Sequence, residues 1–195
     1  MATVNKYRTI YDVLFTNKNI FLDTFMLGFS VVFLAIMANL TVPLWPVPIT
    51  MQTFGVFLIA FFFGSKRGLV SILTYVFAGI MGFGVFAGHK SGIAAVLGPT
   101  AGYIFGFLIT VFIVGYLIEK GHGRSKKSVF LIMVLGSVII YIFGLIGLKL
   151  NFVDFSFFKL LSVGVVPFLI GDALKIIIAV ALFPYLWKGS DKISS

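Results

Sequence analysis

Apolar residues in this chain gather into long runs. Six stand out, over residues 22–42, 51–63, 68–86, 100–118, 129–148 and 163–187. A helix needs about 20 predominantly apolar residues to cross a bilayer. Inside hydrocarbon each backbone N–H and C=O must be satisfied within the protein. The pattern therefore predicts an all-α fold, an integral membrane bundle of six transmembrane helices. The second run is short for a crossing and is expected to extend back to Pro48 or to tilt. Ahead of the first run, Tyr7, Ile10, Tyr11, Leu14 and Phe15 recur at helical spacing, with Lys6, Arg8 and Asp12 between them. That spacing predicts a short amphipathic helix on the membrane surface. No clean apolar core or small-residue cleavage site precedes the first run, so no cleavable signal is expected. The chain divides into a surface segment (1–20), the six-helix membrane domain (21–188) and a cytoplasmic tail (189–195).

Composition agrees with a bilayer as solvent. Of 195 residues 60% are hydrophobic and 11% charged, and the mean hydropathy is +1.13. A soluble domain is about 45–50% apolar and about 25% charged. Cysteine is absent from the sequence, which excludes disulfides, zinc thiolates and a thiol nucleophile. His89 and His122 are the only imidazoles, so neither a metal site nor a cofactor is expected. The net charge of +9 reads as topology and contact with the lipid membrane, with no nucleic acid partner. A cytoplasmic N-terminus puts Lys6, Arg8, Lys18, Lys66, Arg67, Lys120, Arg124, Lys126, Lys127, Lys188 and Lys192 inside. Only Lys90, Lys149 and Lys159 then lie outside. Positive charge concentrates on the cytoplasmic side of membrane proteins, so both termini are expected in the cytoplasm of a prokaryotic-type cell, with the chain multi-pass in its plasma membrane.

Against this apolar background the polar residues carry the chemistry. Asp172 and Lys175 sit in the last run, LLSVGVVPFLIGDALKIIIAVALFPYLW. A charge at the bilayer centre costs about 2.5–3.5 kcal/mol on insertion scales, and two residues three apart share a helix face. They form either a mutual pair or a polar clamp for a ligand. Asn39, Thr50, Gln52 and Asp172 fall at a similar outer depth on three spans, which suggests a pocket open to the outside. Pro43, Pro46 and Pro48 stiffen the loop above it, either as a helix breaker or as a lid with Trp45 covering a ligand. Tyr103, near the outer end of the fourth span, is an interface anchor or a ligand contact. Gly98, Gly102 and Gly106, four apart, favour close helix packing. The glycine-rich stretch 87–100 is apolar enough to fold into the membrane edge or cap a cavity.

Catalytic signatures are missing. GVFAGHKS (84–91) has His89 where a phosphate-binding loop needs glycine. No nucleophile elbow, HExxH or paired carboxylates occur in the sequence, so an enzyme is not expected. Energy from ATP would have to come from a partner. A stand-alone secondary carrier using Asp172 as a proton relay is the competing class, but no internal repeat or second such carboxylate accompanies it.

Three segments in order, PVPITMQTFGVFLIA (46–60), LGPTAGYIFGF (97–107) and PFLIGDALKI (167–176), resemble the BioY family, the biotin-specific S components of energy-coupling factor (ECF) transporters. The resemblance covers nearly the whole chain. It implies a six-helix subunit that binds biotin near its outer face, with an ECF transmembrane coupling protein and two cytoplasmic ATPase subunits as partners. Asp172 and Lys175 fall on the family's polar pair, Tyr103 in its GPT-x-GY stretch and Gln52 in its proline-threonine-glutamine stretch. The alanines four apart that such subunits use for docking are absent from the cytoplasmic half of the first span; Gly28 and Ser30 are the small residues expected to replace them.

Overall fold

The computed structural model describes residues 9–15 and 19–193, with side chains described as far as Trp187. Lys6, Tyr7, Arg8 and Lys18, expected near the start, lie outside the described residues, as do the side chains of Lys188 and Lys192. In chain order the elements are α1 (Ile10–Leu14), α2 (Ile20–Asn39), β1 (Thr41–Val42), β2 (Ile49–Thr50), α3 (Gln52–Ile80), α4 (Ile93–Leu97), α5 (Ala101–Glu119), α6 (Lys126–Asn151), α7 (Phe157–Gly164) and α8 (Val166–Ile193). Among the described residues, five stretches are long and apolar enough to cross a membrane: α2, α3, α5, α6 and Phe157–Trp187.

α3 is not one rod. Gly64 breaks it with φ 78° and ψ −161°. At about 1.5 Å rise per residue a straight helix would hold Gln52 and Tyr75 about 35 Å apart. Instead Gln52 Nε2 donates to the Tyr75 hydroxyl at 3.0 Å. Limbs 52–63 and 65–80 therefore fold back on each other. Glu119 of α5 closes the bend, accepting from Ser65 N at 2.7 Å and from Ser65 Oγ at 2.9 Å. The carboxylate satisfies an orphan N–H at the start of the second limb and places negative charge at the helix's positive end. A Cβ at Gly64 would run into Glu119 and Thr9, so this turn needs glycine for both space and a positive φ. The second and third apolar runs are thus separated by one residue. The third ends at Ile80 rather than at Phe86, and Phe86 turns inward from the following loop to 6% exposure.

α5 and α6 pack with backbones nearly touching. Gly102 lies against Gly147 and the Phe143 carbonyl, and Gly106 against Ile140. This is the close approach that small residues permit between membrane helices. Gly98 takes no part in it; it precedes α5 and caps α4. The all-α expectation also missed a small ribbon in which Thr41 pairs with Thr50 and Val42 with Ile49, pinching the base of the proline loop.

At the Gly64 end, α1 is docked on the bundle, with Tyr11 at 0% exposure. Its hydroxyl donates to Asp23 at 2.7 Å. Burial, then the Asp23 carboxylate, push the phenol up to about 12, so it stays a donor at physiological pH. Arg67 joins Asp12 at 3.0 Å and Asp23 at 3.7 Å. α2 buries Ser30, Leu34 and Ala38, while Phe21, Phe25, Phe29, Val32 and Ile36 point away from the bundle.

Candidate functional site

At the other end of the bundle, beneath the proline loop, lies a cavity of about 660 Å³. Small-molecule sites span about 300–1,000 Å³. Its floor is built by α3, α6 and α8. Asp172 and Lys175 are 8% and 7% exposed, one turn apart on α8, and Lys175 Nζ donates to Asp172 Oδ1 at 2.8 Å. The same ammonium donates to the Thr50 carbonyl and to Thr53 Oγ1, each at 2.8 Å. An ammonium has three protons, and all three are engaged. The pairing of Thr50 in the ribbon fixes its carbonyl, so the sheet missing from the sequence reading has a task in the site. Tyr141 of α6 donates its hydroxyl to Asp172 Oδ2. Asp172 thus has one donor on each oxygen and, as a carboxylate with about four lone-pair positions, acceptor capacity left over.

Gln52 has its polarity set from behind. The Val85 carbonyl can only accept, so the Tyr75 proton points to it at 2.9 Å. The phenol oxygen must then accept from Gln52, which puts Nε2 on Tyr75. Gln52 Oε1 meets no donor among the described residues and lies on the cavity wall. The apolar part of the wall comes from Ile104 and Phe107 of α5 and Phe168 of α8. Tyr103 packs its ring 6.0 Å from Phe168 and donates its hydroxyl to the Gly164 carbonyl at 2.6 Å, holding the joint between α7 and α8.

Above the cavity, Trp45 is 72% exposed and leans edge-on against Phe152 and Phe155, at 5.5 and 6.3 Å. Lys149 stiffens that seat by donating to the Val153 and Phe155 carbonyls at 2.5 and 3.1 Å. Residues of the 87–100 stretch form the facing rim, with exposed Lys90 on it. Asp172, Lys175, Gln52, Tyr103 and Trp45 therefore border one cavity.

Asn39 does not. Its amide donates to the Ala35 carbonyl at 2.8 Å and its oxygen accepts from His89 N at 2.9 Å. It steadies a loop beside a separate, largely apolar groove. Similar depth did not mean similar direction. The docking pair also separates. Ser30 is 1% exposed and donates to the Leu27 carbonyl, whereas Gly28 is exposed, with open space where a Cβ would stand. Two residues on a helix differ by about 200°, so one surface cannot use both. The site residues that sequence reasoning missed are Tyr141 and Thr53. Tyr141 had no signal, being one aromatic in an apolar run. Thr53 was within reach, at the i+1 position beside Gln52 at the same depth.

The BioY family profile matches residues 14–192. A protein of Thermotoga maritima described as "Biotin transporter BioY" is 40% identical over 152 residues, covering 78% of this chain and 88% of that protein. A Pyrococcus horikoshii protein described as "Probable biotin transporter BioY" is 41% identical over 145 residues, covering 74% and 83%. Among solved structures, the S-component for biotin from an ECF-type ABC transporter superposes with a TM-score of 0.72 at 25% identity, over 86% of this chain and 92% of that one. The residues matched by the profile include the α3, α5 and α8 segments that build the cavity, and the chain belongs to the BioY family.

Proposed function

We propose that this chain is the substrate-binding membrane subunit for biotin uptake, energised by an ECF module. One observation carries the reading: a buried carboxylate, Asp172, held by Lys175 and Tyr141 at the bottom of a mostly apolar cavity, with acceptor capacity to spare. Biotin has a ureido head with two N–H donors and one carbonyl, an apolar sulfur ring and a carboxylate tail. The head fits the polar floor, the ring the wall of Ile104, Phe107 and Phe168, and the tail reaches the rim, where Lys90 neutralises it. The relatives named for biotin and the biotin S-component fold support the same assignment.

The chain is a multi-pass protein of the cell membrane. Its finer topology is six crossings, with the two limbs of α3 counted separately and both termini cytoplasmic. In support, Lys66, Arg67, Arg124, Lys126 and Lys127 gather at the Gly64 end, as the positive-inside rule requires, and the cavity then opens outward. The partners are a transmembrane coupling protein and two cytoplasmic ATPases. The aromatic stripe of α2, with Gly28 at its centre allowing close backbone approach, is the docking face for the coupling protein.

Calorimetric titration of the purified protein tests the central assignment. Biotin binds one per chain. Silence with biotin alongside clear binding of thiamin or riboflavin removes it.

A further inference from the structure

We infer that Thr53 is the residue that reads the carbonyl of the ligand's ureido head, and that Lys175 positions this reader without touching the ligand. The inference rests on the biotin reading above and adds the hydrogen-bond polarity of the site. Lys175 would be the obvious donor to a ligand oxygen. Its three protons are committed, however, to Thr50 O, Thr53 Oγ1 and Asp172 Oδ1, each at 2.8 Å. At 7% exposure it could reach a ligand only by giving up one of these charge-assisted bonds.

Thr53 is in the complementary position. Its oxygen accepts from the ammonium, and an ammonium cannot accept in return. Its own proton has no acceptor among the described residues. The side chain is only part-buried and lines the cavity. Accepting from a cation polarises the hydroxyl and makes it a stronger donor. Thr53 Oγ1 and Asp172 Oδ1 hang from one nitrogen at 2.8 Å each, so they are at most about 5.6 Å apart. The site thus offers a donor and an acceptor side by side. A ureido group shows the reverse pattern, a carbonyl oxygen beside an N–H. Gln52 Oε1, the other wall acceptor without a donor, suits the second N–H. Of the other threonine and serine hydroxyls on the wall, that of Thr50 accepts from Gln52 N at 3.1 Å, and only Thr53 Oγ1 takes a bond from the Lys175 ammonium to sharpen it.

A site built to hydrogen-bond a group discriminates strongly against an analogue that lacks it, because its own buried polar atom goes unpaired. The probe is 2-iminobiotin, in which a protonated nitrogen replaces the ureido oxygen and offers donors where Thr53 offers one too. Affinities for biotin and 2-iminobiotin are measured by competition against labelled biotin on the purified full-length protein. The wild type prefers biotin by tenfold or more. Thr53→Val weakens biotin about tenfold or more and 2-iminobiotin less than about threefold, so the preference collapses. Thr53→Ser, which keeps the hydroxyl, restores it; Thr53→Ala repeats the collapse with less bulk. Equal loss of both ligands in Thr53→Val and Thr53→Ala overturns the inference, since it means that Thr53 merely seats Lys175. A wild type with no preference overturns it too. Failure of the wild type to bind biotin at all overturns the proposed function, and this inference with it.

Discussion

The two ends of the bundle each carry a cluster of charged and hydroxyl groups, and they differ in what they leave unspent. At the Gly64 end, Asp12 takes donors from Thr9 and Arg67, Asp23 takes Tyr11, and both oxygens of Glu119 take Ser65. Each of these carboxylates is partnered from within the chain, and the network ties α1, α2, α3 and α5 together. At the ribbon end, Lys175 is saturated, but the Thr53 proton, the Gln52 oxygen and part of Asp172 face a cavity. Unpaired polar groups in a low-dielectric setting are costly. A cluster that retains them is poised for something that arrives. Burial alone does not mark the site; leftover hydrogen-bonding capacity does.

The contrast predicts that ribbon-end substitutions change binding and Gly64-end substitutions change stability. The largest effect is expected from Asp172→Asn or Lys175→Ala. Each leaves its partner buried without its counter-charge, weakening biotin by roughly 2–5 kcal/mol, with the double mutant less than additive. Calorimetry measures both; near-wild-type affinity in the folded single mutants would make the pair structural. Next is Gly64→Ala. A non-glycine residue at positive φ costs about 1–3 kcal/mol, and the new methyl displaces Glu119. The midpoint of thermal unfolding in detergent should fall by several degrees while biotin affinity in the folded fraction holds.

Tyr141→Phe removes a donor from Asp172 and should cost about 1–2 kcal/mol of binding, with little change in unfolding midpoint. A lower midpoint at full affinity would place Tyr141 in the scaffold. Arg67→Gln loses two partly exposed ion pairs, each worth about 1 kcal/mol or less, visible as a small stability loss without a change in affinity. The smallest effect is expected from Trp45→Ala. The indole seats on Phe152 and Phe155 above the cavity, so its removal should speed biotin dissociation several-fold and leave association nearly unchanged. Stopped-flow displacement reads it, and an unaltered rate reduces the loop to a connector.

The sequence showed where charge was out of place, but not which way each side chain points. Asp172 and Lys175 were legible because apolar context makes any charge conspicuous, and one turn of helix guarantees that they meet. Gln52 and Tyr103 were expected from depth and the family motifs and Trp45 from the stiff proline loop, and all three line the cavity. Asn39 shared the depth but not the azimuth, which depends on how α2 is rotated against α3. Ser30 and Gly28 part for a different reason, local to α2: residues two apart on a helix point about 200° away from each other. Tyr141 was invisible because a tyrosine in an apolar run reads as packing or an interface anchor until the partner helix is known. The runs themselves gave the helices, since length and hydropathy are local properties. The hinge at Gly64 was legible only as a gap between two short runs, because its geometry is completed by Glu119, 55 residues later in the chain. The ribbon had no local signal beyond Thr41–Val42 and Ile49–Thr50 flanking prolines, two residues a side being too short for a period.

The most direct test compares equilibrium biotin titrations of three purified proteins: wild type, Asp172→Asn and Arg67→Gln. Both variants disturb a charged cluster, one at each end. The expected result is one biotin per chain for the wild type, unchanged affinity for Arg67→Gln, and a loss of roughly thirtyfold or more for Asp172→Asn, a factor equal to about 2 kcal/mol. Equal losses in the two variants, or undiminished binding in Asp172→Asn, would contradict it.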